Sequence, residues 1–473
     1  MESKNTNLIK ATNKINWILI THKQYPLFSR YWISEAFRVD MKKALGLGFN
    51  NYKSLYSGVY ADKSELGKLS ALLISRLEKD TGEIWMLCRQ WQRECNEVVE
   101  FSRMGIANPN KISDKELLKY LDSLVEKLRK SAAYIFLHHV ADPYFENRII
   151  DMLNKRNISK SLQKSYFQVL TTPTKKTAIS QSQIELLSLS KKVKKYGIKS
   201  CQNFIEQYAA GYAWLGYDTA IGSNLTVQSI KEKLKNYNSK KHDKRQLKRK
   251  VVESHLSLAP REIDLINLIS EISYLGTYRT ESHAKVGVYL RPVLNELANR
   301  LDSTYEELVQ FTLPEIKKFM QLGKLDNQLA KSRNQKFGLI TFQGKQYVVS
   351  GNEVDKFEPQ KSSHKDSVKI LKGMIVNMGE AIGNAKIVLN KGDFAKVKNG
   401  DILIAKMTNT DYIPVLQKCA AIVTDIGGIT SHAAIISREM RKPCITGTKI
   451  ATQVFRDGDM IEVDAINGVV RKL

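Results

Sequence analysis

Cysteine is scarce and poorly placed for cross-linking. The chain of 473 residues has five (Cys88, Cys95, Cys201, Cys419 and Cys444). They are odd in number and never at C-x-x-C spacing, which argues against a disulfide framework and a zinc site, so no metal is expected. Long apolar runs are also lacking. No stretch approaches the ~18 consecutive apolar residues of a membrane span, and the N-terminus MESKNTNLIKATNKINWILI has no secretory apolar core behind a short basic lead. A reduced, cytoplasmic protein with no membrane partner is the expectation. Neither G-x-x-x-x-G-K-[ST] nor G-x-G-x-x-G occurs, so the familiar phosphate-cradling loops are missing.

Acidic residues are in short supply as well. Lys and Arg number 74 against 48 Asp and Glu, a net charge of +26. Such an excess suits a polyanion partner, because nucleic-acid binding is dominated by cationic contacts to phosphates. Lysine, however, is spread along most of the chain with much Asn and Ile, a usage that equally keeps a surface soluble. The densest run, residues 231–250, holds ten Lys or Arg against two acids. It reads first as a solvated helix end and loop, with docking to an acidic partner or to phosphates as the alternative. Nucleic acid is the lesser reading.

What is present is ample apolar material, 42% of the chain, and room for about three domains of roughly 150 residues. Residues 1–330 read as mostly helical, with apolar residues recurring at three and four. Ser113-Asp-Lys-Glu116 is a capping box ahead of the stripe Leu117, Leu118, Leu121, Leu124, Val125 and Leu128. A second helix is expected over 261–275, and a third begins at Thr312-Leu-Pro-Glu315. After residue 330 the period changes. Phe337–Phe342 and Gln346–Ser350 flank Gln343-Gly-Lys345 and predict a β-hairpin, and the polar stretch 358–366 has the composition of a linker. From Val368 short strands alternate with Gly-containing turns: 385–389, 402–405, 421–424, 444–446, 460–463 and 468–471. Helices are expected over 412–418 and 433–440. The fold class is thus multi-domain α+β: a helical domain over 1–330, hairpin and linker over 331–366, and a compact α/β domain over 367–473.

The chemistry concentrates in Ala421-Ile-Val-Thr-Asp-Ile-Gly-Gly-Ile-Thr-Ser-His-Ala-Ala-Ile-Ile-Ser-Arg-Glu439. A buried strand ends at Thr424, Gly427 and Gly428 supply a turn, and Thr430 and Ser431 offer hydroxyl caps to a helix starting near His432. Unpaired N–H groups and the positive end of the helix dipole favour an anion there, the dipole alone by roughly 0.3–1 kcal/mol. Histidine, with an ordinary pKa of about 6.5, is mostly neutral and nucleophilic at neutral pH, and the helix end biases it further that way. A neutral imidazole presented at an anion-binding helix end can carry a phosphoryl group.

This run, with Gly400–Pro414 before it and Lys442–Val470 after it, resembles the swivelling phosphohistidine domain of the phosphoenolpyruvate-utilising enzymes, a family that includes pyruvate phosphate dikinase, phosphoenolpyruvate synthase and rifampin phosphotransferase. The resemblance covers about Leu371 to the last residue. It implies that His432 is the phosphorylated residue and that Thr430, Ser431, Gly427, Gly428 and Thr408 occupy supporting positions. One departure is the opening turn, Asn377-Met378-Gly379-Glu380 where the family has a small-Pro-Gly sequence. For Arg438 and Glu439 a salt-bridged helix end and a functional role stand equal.

Upstream, Leu301–Ile316 resembles the segment preceding this domain in rifampin phosphotransferase, which implies a helical acceptor-binding domain. There the polar cluster Arg279, His283 and Lys285 is the candidate acceptor site, since Arg279 and His283 share a helix face at i and i+4. Surface pairing is the plainer account of it. His138, His139 and Tyr144 could line the same pocket or be core residues. Neither an ATP-grasp pattern nor a phosphoenolpyruvate-binding barrel can be read from the residues, so the resemblance implies loading in trans by an ATP-grasp subunit that binds ATP and Mg²⁺, with a small-molecule acceptor of unread identity. Phosphoenolpyruvate or pyruvate chemistry with a separate barrel subunit is one alternative. A regulatory or nucleic-acid-binding protein without turnover is the other.

Overall fold

The computed structural model describes residues 2–21, 25–218, 221–235, 249–358, 370–408, 412–428 and 431–473. The expected linker and the centre of the basic run thus lie largely outside the described residues.

Up to about residue 335 the chain is mainly helix, and the local sequence sets the helix ends. Ser113 Oγ accepts from Glu116 N at 3.3 Å while Ser113 N donates to Glu116 Oε2 at 3.1 Å, the reciprocal cap that opens helix Asp114–Ala132. Leu117, Leu121, Leu124, Val125 and Leu128 of that helix are buried. Thr312 and Glu315 cap Leu313–Leu322 in the same way. The helix expected over 261–275 continues much further, from Pro260 to Arg300, 41 residues or roughly 60 Å at 1.5 Å per residue. It packs lengthwise on helix Thr81–Arg103, with Trp85 Nε1 donating to Asp264 at 3.0 Å. Near the N-terminus, helices Leu27–Glu35 and Met41–Leu45 run into one another through a π turn, Ala36–Asp40. A satellite of three helices, Ala178–Tyr196, Gln202–Gly211 and Val227–Lys235, closes over its own small core of Leu189, Ile205, Tyr208, Ile230 and Leu234.

Reading residues 1–330 as mostly helical overlooked five strands among the described residues, two of them the short antiparallel pair Tyr217–Asp218 and Ile221–Gly222. Trp17–Thr21, Tyr52–Leu55 and Gly58–Asp62 join the hairpin Phe337–Phe342/Lys345–Ser350 in an antiparallel sheet ordered 17–21, 58–62, 52–55, 337–342, 345–350. The omission has a cause at Tyr52–Leu55: its central Lys53 and Ser54 are polar yet buried, so neither an alternation nor an apolar run marks the strand. The hairpin itself turns on Gln343 and Gly344, both at positive φ (48° and 75°), as the primed two-residue turns require. Strand Phe337–Phe342 is the link that ties the chain's first sixty residues to the segment ahead of the C-terminal part.

From Ile370 the chain builds an eight-stranded sheet ordered 370–372, 469–472, 460–464, 380–387, 402–405, 421–424, 444–446, 374–377, with a parallel core from 380–387 to 444–446. The two outermost strands are consecutive in sequence and separated only by Gly373, so one segment serves both edges and the sheet curls toward itself. A side chain at Gly373 would put its Cβ 2.5 Å from Ile445 Cγ2 and 2.7 Å from the Thr446 carbonyl, which glycine avoids. In the opening turn Gly379 stands at φ +138°, and Asn377 donates to the carbonyls of Lys442 (2.7 Å) and Ser437 (3.2 Å) while touching Gln168 of the helical part. Buried apolar side chains run without a break from the helical core to Val376, Leu403 and Ile422.

Candidate functional site

His432 is the first residue of helix His432–Met440. Ser431 caps it, with extended backbone (φ −64°, ψ 158°) and its Oγ accepting from Ala434 N at 3.3 Å. The turn between strand Ala421–Thr424 and this cap is tight. Gly427 stands at φ +138°, where a Cβ would meet Ser431 Oγ at 3.0 Å, and the Gly428 carbonyl accepts from Ser431 N at 3.1 Å. Thr424 Oγ1 donates to the Ile426 carbonyl at 2.9 Å. Glycine at 427 thus lets the chain reverse close enough to the cap to begin a helix at the histidine.

Thr408 comes from the loop after strand Ile402–Ala405. Its hydroxyl lies 3.0 Å from His432 Nδ1, and the residue is buried. The contact holds the ring in place, and in the tautomer whose Nδ1–H donates to Thr408 Oγ1 the lone pair sits on Nε2, ready to act as nucleophile. His432, Thr408, Ser431, Gly427 and Gly428, which the sequence singled out, therefore meet in one place. Thr430 lies outside the described residues.

Sequence reasoning missed what braces this turn. Asp425, 5% exposed, accepts from Thr452 N at 3.0 Å, from Thr448 Oγ1 at 3.4 Å and from the Thr452 hydroxyl. Its backbone N–H donates to Ala405 O and its carbonyl accepts from Lys449 N. One residue thereby joins the ends of three neighbouring segments beneath the glycine turn. Burial holds its carboxyl above the usual range despite the threonine donors, and burial likewise lowers the Lys406 ammonium, which Asp425 and Glu358 partly offset. The only hint in the sequence was an acid between Thr424 and the glycines, which no spacing rule connects to Thr448 or Thr452. Arg438 ties the helix to strand Met374–Asn377, Nε donating to Val376 O at 3.1 Å; the Glu439 side chain lies outside the description. Met407, next to Thr408, accepts from Thr21 at 3.1 Å, so the histidine's loop abuts the first strand of the N-terminal sheet.

The upstream cluster is not gathered the same way. His283 is 3% exposed, its Nε2 2.8 Å from Ser131 Oγ and its ring edge-on to Trp32 at 5.8 Å, so it belongs to the helical core. Lys285 lies over the Trp214 ring at 5.2 Å, and Arg279 donates to Thr280 Oγ1 at 3.3 Å. His138 lies over Gly276 of the long helix, Tyr144 accepts from Arg148 at 3.2 Å, and the His139 side chain lies outside the description. Among the described residues no group of three or more His, Cys, Asp or Glu could hold a metal ion, and none of the helices there is long and apolar enough to cross a membrane.

Residues 397–468 match the family described as PEP-utilising enzyme, mobile domain. Curated relatives agree. A probable phosphoenolpyruvate synthase of Archaeoglobus fulgidus is 36% identical over 164 residues, 33% of this chain and 22% of that protein. The phosphoenolpyruvate synthase of Pyrococcus furiosus is 39% identical over 134 residues, 27% of this chain and 16% of that one. An uncharacterized phosphotransferase of Bacillus subtilis is 43% identical over 98 residues, 21% of this chain and 12% of its own length. A solved structure of Thermococcus kodakaraensis aconitase X matches over 22% of this chain and 99% of its own at 20% identity, with a TM-score of 0.18. The similarity lies in the C-terminal unit, where residues 397–468 resemble the mobile domain of the PEP-utilising enzymes. The chain spans less than a quarter of the length of the relatives named.

Proposed function

We propose that this chain is the phosphoryl-carrying component of a phosphotransferase, charged on His432 by an ATP-grasp subunit in trans and discharging to a small-molecule acceptor in or near the helical part. The observation that carries the reading is the 3.0 Å contact of Thr408 Oγ1 with His432 Nδ1 at a capped helix N-terminus. Nε2 attacks the phosphorus, the P–O bond to the leaving nucleotide breaks with its electron pair going to the nucleotide oxygen, and the proton stays on Nδ1, hydrogen-bonded to Thr408 Oγ1, as the ring becomes cationic. The helix N-terminus and the cationic ring both favour the new anion. Transfer onward reverses the step, the N–P bond breaking as an acceptor oxygen takes the phosphoryl group.

ATP and Mg²⁺ belong on the partner in this reading. Mg²⁺ takes oxygen ligands, usually waters and substrate phosphates with one or two carboxylates, and the carboxylate beneath the turn, Asp425, is turned inward to Thr448 and Thr452. The relatives' names favour a second reading, phosphoenolpyruvate or pyruvate chemistry with a separate barrel subunit. One experiment addresses both. The protein is incubated with a candidate ATP-grasp partner and ATP·Mg²⁺, then with pyruvate and a candidate barrel subunit. Acid-labile label on the chain that pyruvate leaves in place supports the first reading, and discharge into phosphoenolpyruvate supports the second. No label from either ATP or phosphoenolpyruvate, whatever the partner, would sink both.

A further inference from the structure

The helical part contains a cleft that the phosphoryl-carrier reading does not use. It encloses about 420 Å³, within the usual range of small-ligand sites, roughly 300–1,000 Å³. Four cations and three carboxylates line it. Each carboxylate already has a cationic neighbour: Asp40 accepts from Arg129 Nε at 2.8 Å, Glu126 lies 2.8 Å from Lys130 Nζ and Asp122 lies 2.5 Å from Lys317 Nζ. The cationic capacity left over is specific. Among the described residues Arg129 spends only Nε on Asp40, which leaves its two terminal nitrogens for a ligand, and Lys43 is exposed at the rim with no acidic partner there.

Two features suggest a built site rather than a gap. Asp40 is 6% exposed, and a buried carboxylate gripping Nε fixes the guanidinium plane so that the terminal fork is presented already oriented. Asp40 also ends the π turn Ala36–Asp40, a local insertion that costs regular hydrogen bonding and is frequent at functional sites. The rest of the wall is apolar, with Val125, Leu313 and the Tyr31 ring lining the space beside the fork.

We propose that this cleft binds a small organic anion, a carboxylate or phosphate head held by the Arg129 fork and Lys43, with a compact apolar body against Val125, Leu313 and Tyr31. The proposal is independent of His432. Calorimetric titration of the whole chain with benzoate, phenyl phosphate, inorganic phosphate and benzyl alcohol tests it. At least one organic anion is expected to saturate a single site, with inorganic phosphate and the alcohol about tenfold weaker or more; preference between benzoate and phenyl phosphate then identifies the head group. Lys43→Glu, at an exposed position that leaves folding intact, should weaken the preferred anion by about tenfold or more, the usual scale for a lost charge-assisted bond. Arg129→Lys, which keeps a cation for Asp40 but loses the fork, should do the same. Absence of saturable binding by both organic anions, equal binding of the alcohol or of inorganic phosphate, or unchanged affinity in Lys43→Glu would overturn it.

Discussion

Replacing Thr408 with valine removes the hydroxyl at His432 Nδ1 while nearly preserving side-chain shape. Thr408 is 4% exposed, so little solvent can substitute for the lost partner. A single neutral hydrogen bond contributes about 0.5–1.5 kcal/mol. If it is made more strongly as the ring turns cationic, its loss appears in the rate, and at 1.36 kcal/mol per tenfold the range corresponds to roughly 2- to 13-fold slower phosphorylation. The assay is the initial rate of acid-labile labelling, with phosphoramidate as a donor that needs no protein partner. Alongside it, ¹⁵N spectra of the imidazole should show a shift toward the Nδ1-unprotonated tautomer. Thr408→Ser keeps the hydroxyl and should stay near the parent in both measurements. Equal rates and equal tautomer populations in parent, Val and Ser proteins would refute the role given to Thr408.

Other consequences follow from the same geometry. Gly427→Ala forces a Cβ to within 3.0 Å of Ser431 Oγ at φ +138°; strain of about 1–3 kcal/mol is expected, seen as a lowered urea midpoint together with slower labelling of His432. In the helical part, burial opposes ionisation of Glu315, yet the Arg333 fork at 2.8 and 3.0 Å and the Thr312 cap outweigh it and hold the carboxyl below its usual range. Because the folded pKa is depressed, this stabilisation is present above the unfolded pKa near 4.5 and is lost as pH falls through the folded value. Arg333→Met should therefore cost about 3 kcal/mol at pH 7, and urea melts should show the gap narrowing in acid. Lys53 is the opposite case: burial lowers its ammonium from 10.5 to about 8, so the unfolded chain holds more protons between those values and stability should rise with pH across that window. Lys53→Met should flatten the slope in melts between pH 8 and 10.5.

The parts of the molecule legible in the sequence were those governed by short-range rules. Capping at Ser113 and Thr312 depends on residues three apart, and strands 402–405, 421–424 and 444–446 are uninterrupted apolar runs of a buried parallel sheet. His432 was readable because turn, cap and helix follow one another without a gap. What escaped depended on partners far away in sequence. Tyr52–Leu55 pairs with the nearby Gly58–Asp62 on one side, but its other neighbour, Phe337–Phe342, comes nearly three hundred residues later. Strand Met374–Asn377 is short and needs Cys444–Thr446 to define it. The Asp425 brace joins positions 23 and 27 residues apart through side-chain hydroxyls. His283 shows the converse: helical spacing set it beside Arg279, but the face of the helix was decided by Ser131 and Trp32, which local spacing does not reveal.

The central claim is that His432 carries phosphorus, and the most direct test locates the phosphoryl group on the labelled protein. After charging, mass spectrometry under neutral or alkaline conditions, with ³¹P–¹⁵N NMR on the same sample, should place a single acid-labile phosphoryl group on Nε2 of His432 and find none in His432→Ala. A label on another residue, or one that persists in His432→Ala, would contradict the account.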